Sequence, residues 1–219
     1  MVKESVLFPE IIKSVNNIGG NLRGILLMFV ATICFSLMHA LIRYMAGELH
    51  PFQLAFFRNA FGLLVVLPWF IRYGLAPLKT QRLGLHAVRS CINVMAMLMF
   101  FYAVSITPLA EVAALSFTAP IFATVLAIVV LREIVGFRRW CAIFFGFCGT
   151  LVLLRPGFET VSNGQLLVVL SSCLWACALI VIKILSRTES SITIITYLIL
   201  LMVPLSAVPA LMVWSRPSV

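Results

Sequence analysis

The stretch that decides the fold is residues 109–154, where LAEVAALSFTAPIFATVLAIVVL (109–131) is followed by REIVGFRR (132–139) and WCAIFFGFCGTLVLL (140–154). The first run carries a single charge, Glu111, and at 1.5 Å per helical residue it can cross a hydrocarbon core of about 30 Å. The link is short and basic, so it must stay in water. These residues therefore predict two antiparallel membrane-spanning helices.

The rest of the chain repeats this pattern of apolar runs and short polar links. Hydrophobic residues make up 63% of the 219 residues, whereas soluble domains contain about 45–50%. The predicted fold class is therefore an all-α membrane protein with about seven transmembrane helices in the lipid bilayer. The predicted spans are residues 24–43, 52–72, 85–105, 109–131, 138–154, 165–185 and 192–214.

Basic residues set the predicted orientation. Of the 16 Lys and Arg residues, only Arg43, Arg155 and Arg216 fall on one side of the membrane, Arg58 lies within a span, and the rest fall on the other side. By the positive-inside rule, the N-terminus is cytoplasmic and the chain lies in the inner (plasma) membrane. The same distribution explains the net charge of +9 as a topology signal, so nucleic acid is not an expected partner.

A family resemblance rests on one motif and its surroundings. The motif is Ala114-Leu115-x-x-Thr118-Ala119-Pro120-Ile121-Phe122-Ala123, then Leu131-x-Glu133, Arg139-Trp140, and a helix with Gly146 and Gly149. It resembles the EamA-type half of the drug/metabolite transporter superfamily, which implies a ten-helix carrier built of two five-helix halves. The chain departs from the family at Arg132, where Gly usually precedes the Glu, and this departure predicts a less tight turn.

An internal repeat appears when the chain is shifted by 140 residues, which aligns Gly24 with Gly164, Arg43 with Lys183, and Phe57 with Tyr197. Five spans separate the copies, so the second copy starts on the opposite side of the membrane and the repeat is inverted. The predicted division is an N-terminal segment (1–23), a first five-helix repeat (24–156), and an incomplete second repeat of two helices (164–219). We expect a truncated carrier that needs a homodimer partner or a complementing fragment.

Several kinds of chemistry are disfavoured by composition. The seven acidic residues are all Glu, which argues against intramembrane enzymes that need paired Asp residues. The six cysteines lie in apolar runs without a C-x-x-C pair, so metal-ligand spacing is missing. The sequence predicts no enzyme activity, no metal and no cofactor.

Polar side chains inside the predicted spans are the candidate functional residues, because they are costly in lipid. Four lie in the outer half: His39, Arg58, Tyr102 and Glu111. Arg58 could anchor an anion, pair with Glu111, or snorkel as a structural residue. His39 could be a titratable gate or a hydrogen-bonded structural residue.

Nearer the membrane midplane lie Asn93, Ser116, Pro120 and Trp175. Pro120 removes a helical hydrogen bond and frees the carbonyl of Ser116, which predicts a kink and an available acceptor where a carrier binds substrate. Asn93 and Trp175 could supply a polar contact and an aromatic wall, or pack between helices. Glu111, Pro120 and Glu133 are the predicted gating or kink residues.

A stripe of small residues in the fifth span, Ala142, Gly146 and Thr150, predicts a helix-packing seam. Taken together, the chain is expected to be a carrier of small metabolites such as amino acids, nucleoside-like compounds or vitamins. The alternatives are a small multidrug-type efflux protein and a non-transporting membrane protein or pseudogene product. The acid that small multidrug pumps need in their first span is missing here.

Overall fold

A computed structural model describes residues 20–73, 78, 80–154 and 162–215 of the chain. Within these ranges the regular structure is entirely α-helical, which confirms the predicted fold class. The helices are α1 (Gly20–Met45), α2 (Pro51–Tyr73), α3 (Leu83–Ile106), α4 (Leu109–Ser116), α5 (Thr118–Leu131), α6 (Phe137–Leu154), α7 (Asn163–Leu185) and α8 (Ser191–Met212).

Five helical segments are long and apolar enough to cross a membrane, among the residues the structure describes. Helices α2 and α6 occupy the two remaining predicted spans. The segments that meet the criterion are Gly24–Met45, Leu83–Ile106, Leu109–Leu131, Asn163–Leu185 and Ser191–Met212.

Local sequence explains where α7 and α8 begin. Ser162 and Gln165 form a capping box, in which each side chain accepts a hydrogen bond from the backbone of the other residue. Ser190 caps α8 by accepting from the amide of Thr193 at 3.1 Å. These caps satisfy amides that would otherwise lack helical partners.

The fourth predicted span is two helices rather than one. Helix α4 ends at Ser116, Phe117 forms a turn, and α5 begins at Thr118. Pro120 is the third residue of α5, where its missing amide costs no helical hydrogen bond. The interruption therefore lies between Ser116 and Pro120.

The end of α5 keeps a conformation that favours glycine. Arg132 has φ 52° and ψ 38°, and the amide of Glu133 donates to the carbonyl of Ala127 at 3.2 Å. Left-handed backbone of this kind is normally occupied by Gly at a helix C-terminus. The prediction of a less tight turn at Arg132 is therefore wrong, since the tight turn forms with Arg in place.

The chain divides into two compact units, the first ending at Leu41 and the second running from Ile42. In the second unit α3 packs against α2, α7 and α8, while α5 also packs on α7. Val104 of α3 and Val168 of α7 are fully buried. Arg43 joins the end of α1 to the end of α3, because its Nη1 donates to the carbonyls of Val104 (2.7 Å) and Thr107 (3.2 Å).

Helices α2 and α8 run antiparallel along each other. Gln53 near the start of α2 donates to the carbonyl of Ser215 beyond the end of α8 (2.9 Å), and Asn59 donates to Ser206 (3.0 Å). The contacts move backward along α8 as they move forward along α2. The predicted 140-residue repeat aligns α2 with α8, and the division of the chain into inverted copies stays a prediction.

The turns that precede α2 and α8 also match. After α1 and after α7, three backbone amides donate to carbonyls at positions that differ by 140 residues in every case. The two segments that the predicted repeat aligns therefore share these backbone hydrogen bonds, which are common at helix C-termini. The pairs are Ala46 to Ile42, Glu48 to Met45, Leu49 to Met45, and Ser186 to Ile182, Thr188 to Leu185, Glu189 to Leu185.

Candidate functional site

Arg58 of α2 contacts two apolar side chains in the middle of α3, Met97 and Phe101. Arg58 Nη1 lies 2.9 Å from Met97 Sδ, and the guanidinium carbon lies 5.8 Å from the centre of the Phe101 ring. A cation over an aromatic face is attracted by the ring quadrupole. The Arg58 residue as a whole is exposed, whereas its guanidinium group is mostly buried.

The suggested ion pair between Arg58 and Glu111 does not form within the described residues. Glu111 instead accepts a hydrogen bond from Gln165 Nε2 at 2.8 Å. That contact joins the start of α4 to the start of α7. Glu111 therefore holds two helices together, and Arg58 keeps its charge without a carboxylate in the described part of the chain.

Trp175 lies on the neighbouring side of α3. Its ring centre is 5.7 Å from that of Phe100, and the residue is 38% exposed. Asn93 is half-buried two turns before Phe100 and donates to the carbonyl of Arg89 at 3.0 Å. The structure thus places Arg58 and Trp175 against adjacent residues of one helix, with Asn93 nearby on the same helix.

Tyr102 belongs to a different cluster at the end of α3. Its ring lies 6.4 Å from that of His50 and 6.3 Å from that of Phe52. His39 lies in the first unit, where its ring centre is 6.4 Å from Phe35. The hydroxyl of Ser116 donates to the Val112 carbonyl of its own helix at 2.7 Å.

The other predicted positions have mixed outcomes. Glu133 forms an ion pair with Lys183, which joins the link after α5 to the last turn of α7. A Cβ added to Gly146 would meet no atom within 4 Å. The side chains of Ala142 and Thr150 lie outside the described side chains, so the packing seam stays a prediction.

A buried polar cluster in the first two turns of α3 was not predicted from the sequence. His86 is 1% exposed, Arg89 is 6% exposed and Ser90 is fully buried. Arg89 was counted only as a cytoplasmic topology charge. Its position four residues inside the predicted span was the available signal, the same depth argument that singled out Arg58.

A pocket of 620 Å³ opens beside this end of α3. Within it, Thr80 donates to the carboxylate of Glu189 at 2.7 Å. Tyr197 connects the pocket to the buried cluster, since its hydroxyl donates to the Leu78 carbonyl (2.7 Å) and its ring stacks on His86 (4.6 Å). The pocket is lined by Leu78, Thr80, Gln81, Arg82, Thr188 and Glu189.

The described residues contain no group of three or more His, Cys or Glu side chains arranged to hold a metal ion.

Comparison with known proteins shows that the chain is similar in sequence to a group of transporters. The model of the EamA-like transporter family matches residues 22–155. The chain is 29% identical over 197 residues to the S-adenosylmethionine uptake transporter of Rickettsia prowazekii, covering 90% of this chain and 67% of the relative. It is 31% identical over 201 residues to the riboflavin transporter of Vibrio cholerae, again with 90% and 67% coverage.

A third relative is named as an exporter. The pseudopaline exporter of Pseudomonas aeruginosa is 27% identical over 193 residues, which cover 88% of this chain and 66% of the relative. The chain thus spans about two thirds of the length of each of these three relatives. No solved structure matches the chain.

Proposed function

The chain belongs to the EamA-like transporter family, and we propose that it carries a small metabolite with a planar ring and a carboxylate or phosphate group. The observation that carries this proposal is the similarity to two named metabolite transporters along 90% of the chain. Arg58 of α2 and Trp175 of α7, which both contact α3, support the finer choice of substrate.

The ring of the substrate would lie against Trp175. This side chain is held at one side by Phe100 and is 38% exposed. Aromatic side chains bind planar rings by offset stacking or edge contacts, worth about 0.5–1.5 kcal/mol beyond the buried area. Trp175 therefore offers an aromatic wall with a free surface.

The anionic group of the substrate would bind Arg58. An exposed cation inside a membrane span is costly unless a ligand or water satisfies it. Arg58 contacts the thioether of Met97 and the ring of Phe101, and neither contact neutralises its charge. A carboxylate or phosphate would form charge-assisted, bidentate hydrogen bonds with the guanidinium.

The names of the relatives allow the two parts of this proposal to be separated. S-adenosylmethionine carries both an adenine ring and a carboxylate, whereas riboflavin carries a ring system without a carboxylate or phosphate. Both fit the Trp175 wall, but only the first fits Arg58. Preference for S-adenosylmethionine would support the anion site, and preference for riboflavin would contradict it.

The test is uptake of these two compounds, and of an amino acid without a ring, into proteoliposomes containing the purified chain. Hydrogen bonds to charged groups contribute about 1.5–3 kcal/mol, so Arg58→Gln should weaken uptake of the carboxylate substrate by about 10-fold or more. Trp175→Ala should weaken uptake of both ring compounds. Arg187→Gln, an exposed change of the same charge, should have no effect.

Three results would contradict the proposal. Absence of transport for every small metabolite tested, by the chain alone, as a homodimer and with a complementing fragment, would remove the carrier function, and hydrolysis or group transfer by the purified chain would indicate an enzyme. Transport that is unaffected by both Arg58→Gln and Trp175→Ala would leave the carrier function intact but move the site elsewhere. Assays in both vesicle orientations would detect export, the direction named for the pseudopaline relative.

We further propose that the N-terminus is cytoplasmic and that the chain lies in the inner membrane. The support is the excess of Lys and Arg on one side of the predicted spans. Reporter fusions after Lys79 and after Gly136 should give a cytoplasmic signal. A periplasmic signal at either site would contradict this orientation.

Facilitated diffusion or exchange is the proposed mode of transport. Glu111 is the only carboxylate within a predicted span, and it is held by Gln165 near the start of α4. An obligatory proton relay through a deeply buried acid is therefore not expected. Loss of a pH dependence of transport in Glu111→Gln would contradict this proposal.

A further inference from the structure

The first turns of α3 bury polar atoms that have no hydrogen-bond partner among the described residues. Five such side-chain atoms occur in the described part of the chain, and four of them belong to residues 86–90. They are both ring nitrogens of His86, Nε of Arg89 and the hydroxyl of Ser90. The remaining atom, the hydroxyl of Thr107, lies at the opposite end of α3.

These three side chains share one face of the helix, because residues at spacings of three and four lie above one another. Arg89 is fixed there by its Nη1, which donates to the Ile194 carbonyl of α8 at 2.8 Å. His86 is fixed by the stacked ring of Tyr197, 4.6 Å away. The unpartnered atoms are therefore held in place by α8 rather than left to rotate.

Holding such groups in place is expensive. A buried polar atom without a partner costs about 1–3 kcal/mol, and native proteins contain few of them. Four within two turns of one helix indicate a site that receives its partner from outside the protein, since apolar residues of similar size would fold more stably.

The chemistry of the unpartnered atoms selects the partner. Arg89 Nε can only donate a hydrogen bond, and the Ser90 hydroxyl and a ring nitrogen of His86 can also donate. Arg89 adds a permanent positive charge. Within the described residues it has no ion-pair partner. A group of negatively charged oxygen atoms, such as a carboxylate or a phosphate, satisfies all three donors.

One nearby carboxylate limits which anions fit. Glu189 lines the pocket beside this end of α3, accepts from Thr80, and its charge acts on the His86 imidazole. Arg82 of the pocket lining precedes His86 by four residues, about one helical turn, so Glu189 and the three donors lie near the same end of α3. A zwitterion fits this arrangement, because its ammonium group can bind Glu189 while its carboxylate binds the donors.

We propose that His86, Arg89 and Ser90 form a second anion-binding site, which receives the carboxylate or phosphate of the carried metabolite in the first two turns of α3, before the point where Arg58 contacts that helix. This inference rests on the proposed transport function, because the occupant is the transported compound. Ser90 and the Arg58 contact at Met97 are seven residues apart, about 10 Å along the helix axis. The two sites could therefore bind the same group at successive stages of transport.

The decisive variant is Ser90→Ala, because a ligand site and a structural site predict different results. Removing a buried hydroxyl without a partner should leave the ligand-free protein as stable as before or more stable. If the hydroxyl binds the ligand, the same change should weaken anion binding by about 3-fold or more. Arg89→Gln should weaken it further, and Arg187→Gln should leave it unchanged.

Binding is measured on the purified full chain in neutral detergent, from the rise in Tm with inorganic phosphate, succinate or S-adenosylmethionine, since a ligand that binds only the folded state raises Tm with concentration. A parallel series adds phosphatidylglycerol to the micelles. Stabilisation by the soluble anions that falls in Ser90→Ala and Arg89→Gln supports the site. Stabilisation by phosphatidylglycerol alone, or equal anion affinity in all variants, would overturn it.

The transport assay separates this inference from the function it rests on. Uptake that persists while anion affinity is unchanged in Ser90→Ala would refute the second site and leave the carrier function standing. Anion binding that depends on Ser90 without uptake of any metabolite, by the chain alone, as a homodimer or with a complementing fragment, would refute the carrier function, and with it the role of the site in transport. Weaker binding together with a raised KM in Ser90→Ala is the expected result.

Discussion

The crossing of α3 and α7 leads to a sharp prediction, because Gly164 sits where no side chain fits. A Cβ added to Gly164 would lie 1.9 Å from Thr107 Oγ1, and 3.2 and 3.3 Å from two carbons of Ile106. Reaching an ordinary contact distance requires the Thr107 side chain or the helix to move by about 1.5 Å. Overpacking of this kind costs about 1–3 kcal/mol, so Gly164→Ala should lower Tm by several degrees.

The matched control is Gly84→Ala. Gly84 is the second residue of α3, as Gly164 is the second residue of α7. A Cβ on Gly84 would meet nothing within 4 Å, so Ala should be neutral or stabilising there through its better helix propensity. Both Tm values can be followed by tryptophan fluorescence of the detergent-solubilised protein.

A second substitution tests whether the contact with Thr107 causes the loss of stability in Gly164→Ala. Thr107→Ala removes the oxygen that Gly164→Ala would strike, so the double variant should recover part of the lost stability. Recovery should be incomplete, because the Ile106 carbons remain close. A coupling free energy of about 1 kcal/mol or more is expected for two residues in direct contact. If Gly164→Ala is as stable as Gly84→Ala, the close helix crossing is wrong.

Three further predictions concern stability. Arg132→Gly should stabilise the protein by about 0.5–1 kcal/mol, because φ is 52° there; a lower Tm would contradict the left-handed turn. Asn59→Ala should lower the free energy of unfolding by about 1–3 kcal/mol, because it removes the buried hydrogen bond to Ser206. Adding Ser206→Ala should lower it little further, and additive losses would contradict the contact. Lys183→Met should lower the free energy of unfolding by less than about 1 kcal/mol, because the ion pair with Glu133 is partly exposed. The double variant Lys183→Glu with Glu133→Lys should restore Tm, and no recovery would mean that the pair does not form.

Much of the fold could be predicted from the sequence because hydrophobic length is a local property. A run such as residues 109–131 needs about 20 apolar residues to span lipid, whichever helices surround it. The motif around Pro120 is also a local feature of the sequence, and it was enough to identify the transporter family. The sequence predicts a kink caused by Pro120, whereas the run is interrupted at Phe117, and Pro120 lies in the first turn of α5, where it removes no helical hydrogen bond.

The candidate site was less predictable because its contacts join residues far apart in the chain. Depth along a helix suggested that Arg58 and Glu111 could pair, yet Arg58 faces Met97 and Glu111 faces Gln165. Depth can be counted from the end of a span. The direction in which a side chain points depends on which neighbouring helix packs there.

Arg89 illustrates the difference between what the sequence determines and what the packing of the helices determines. The sequence alone determined that this residue lies near the predicted cytoplasmic end of a span, where a basic residue is ordinary. Only the packing of α8 against α3 decided that its Nη1 would bind the Ile194 carbonyl and that its Nε would be buried beside His86 and Ser90. Hydropathy reports the cost of placing a residue in lipid, whereas the bonds that offset that cost are supplied by helices more than 100 residues away along the chain.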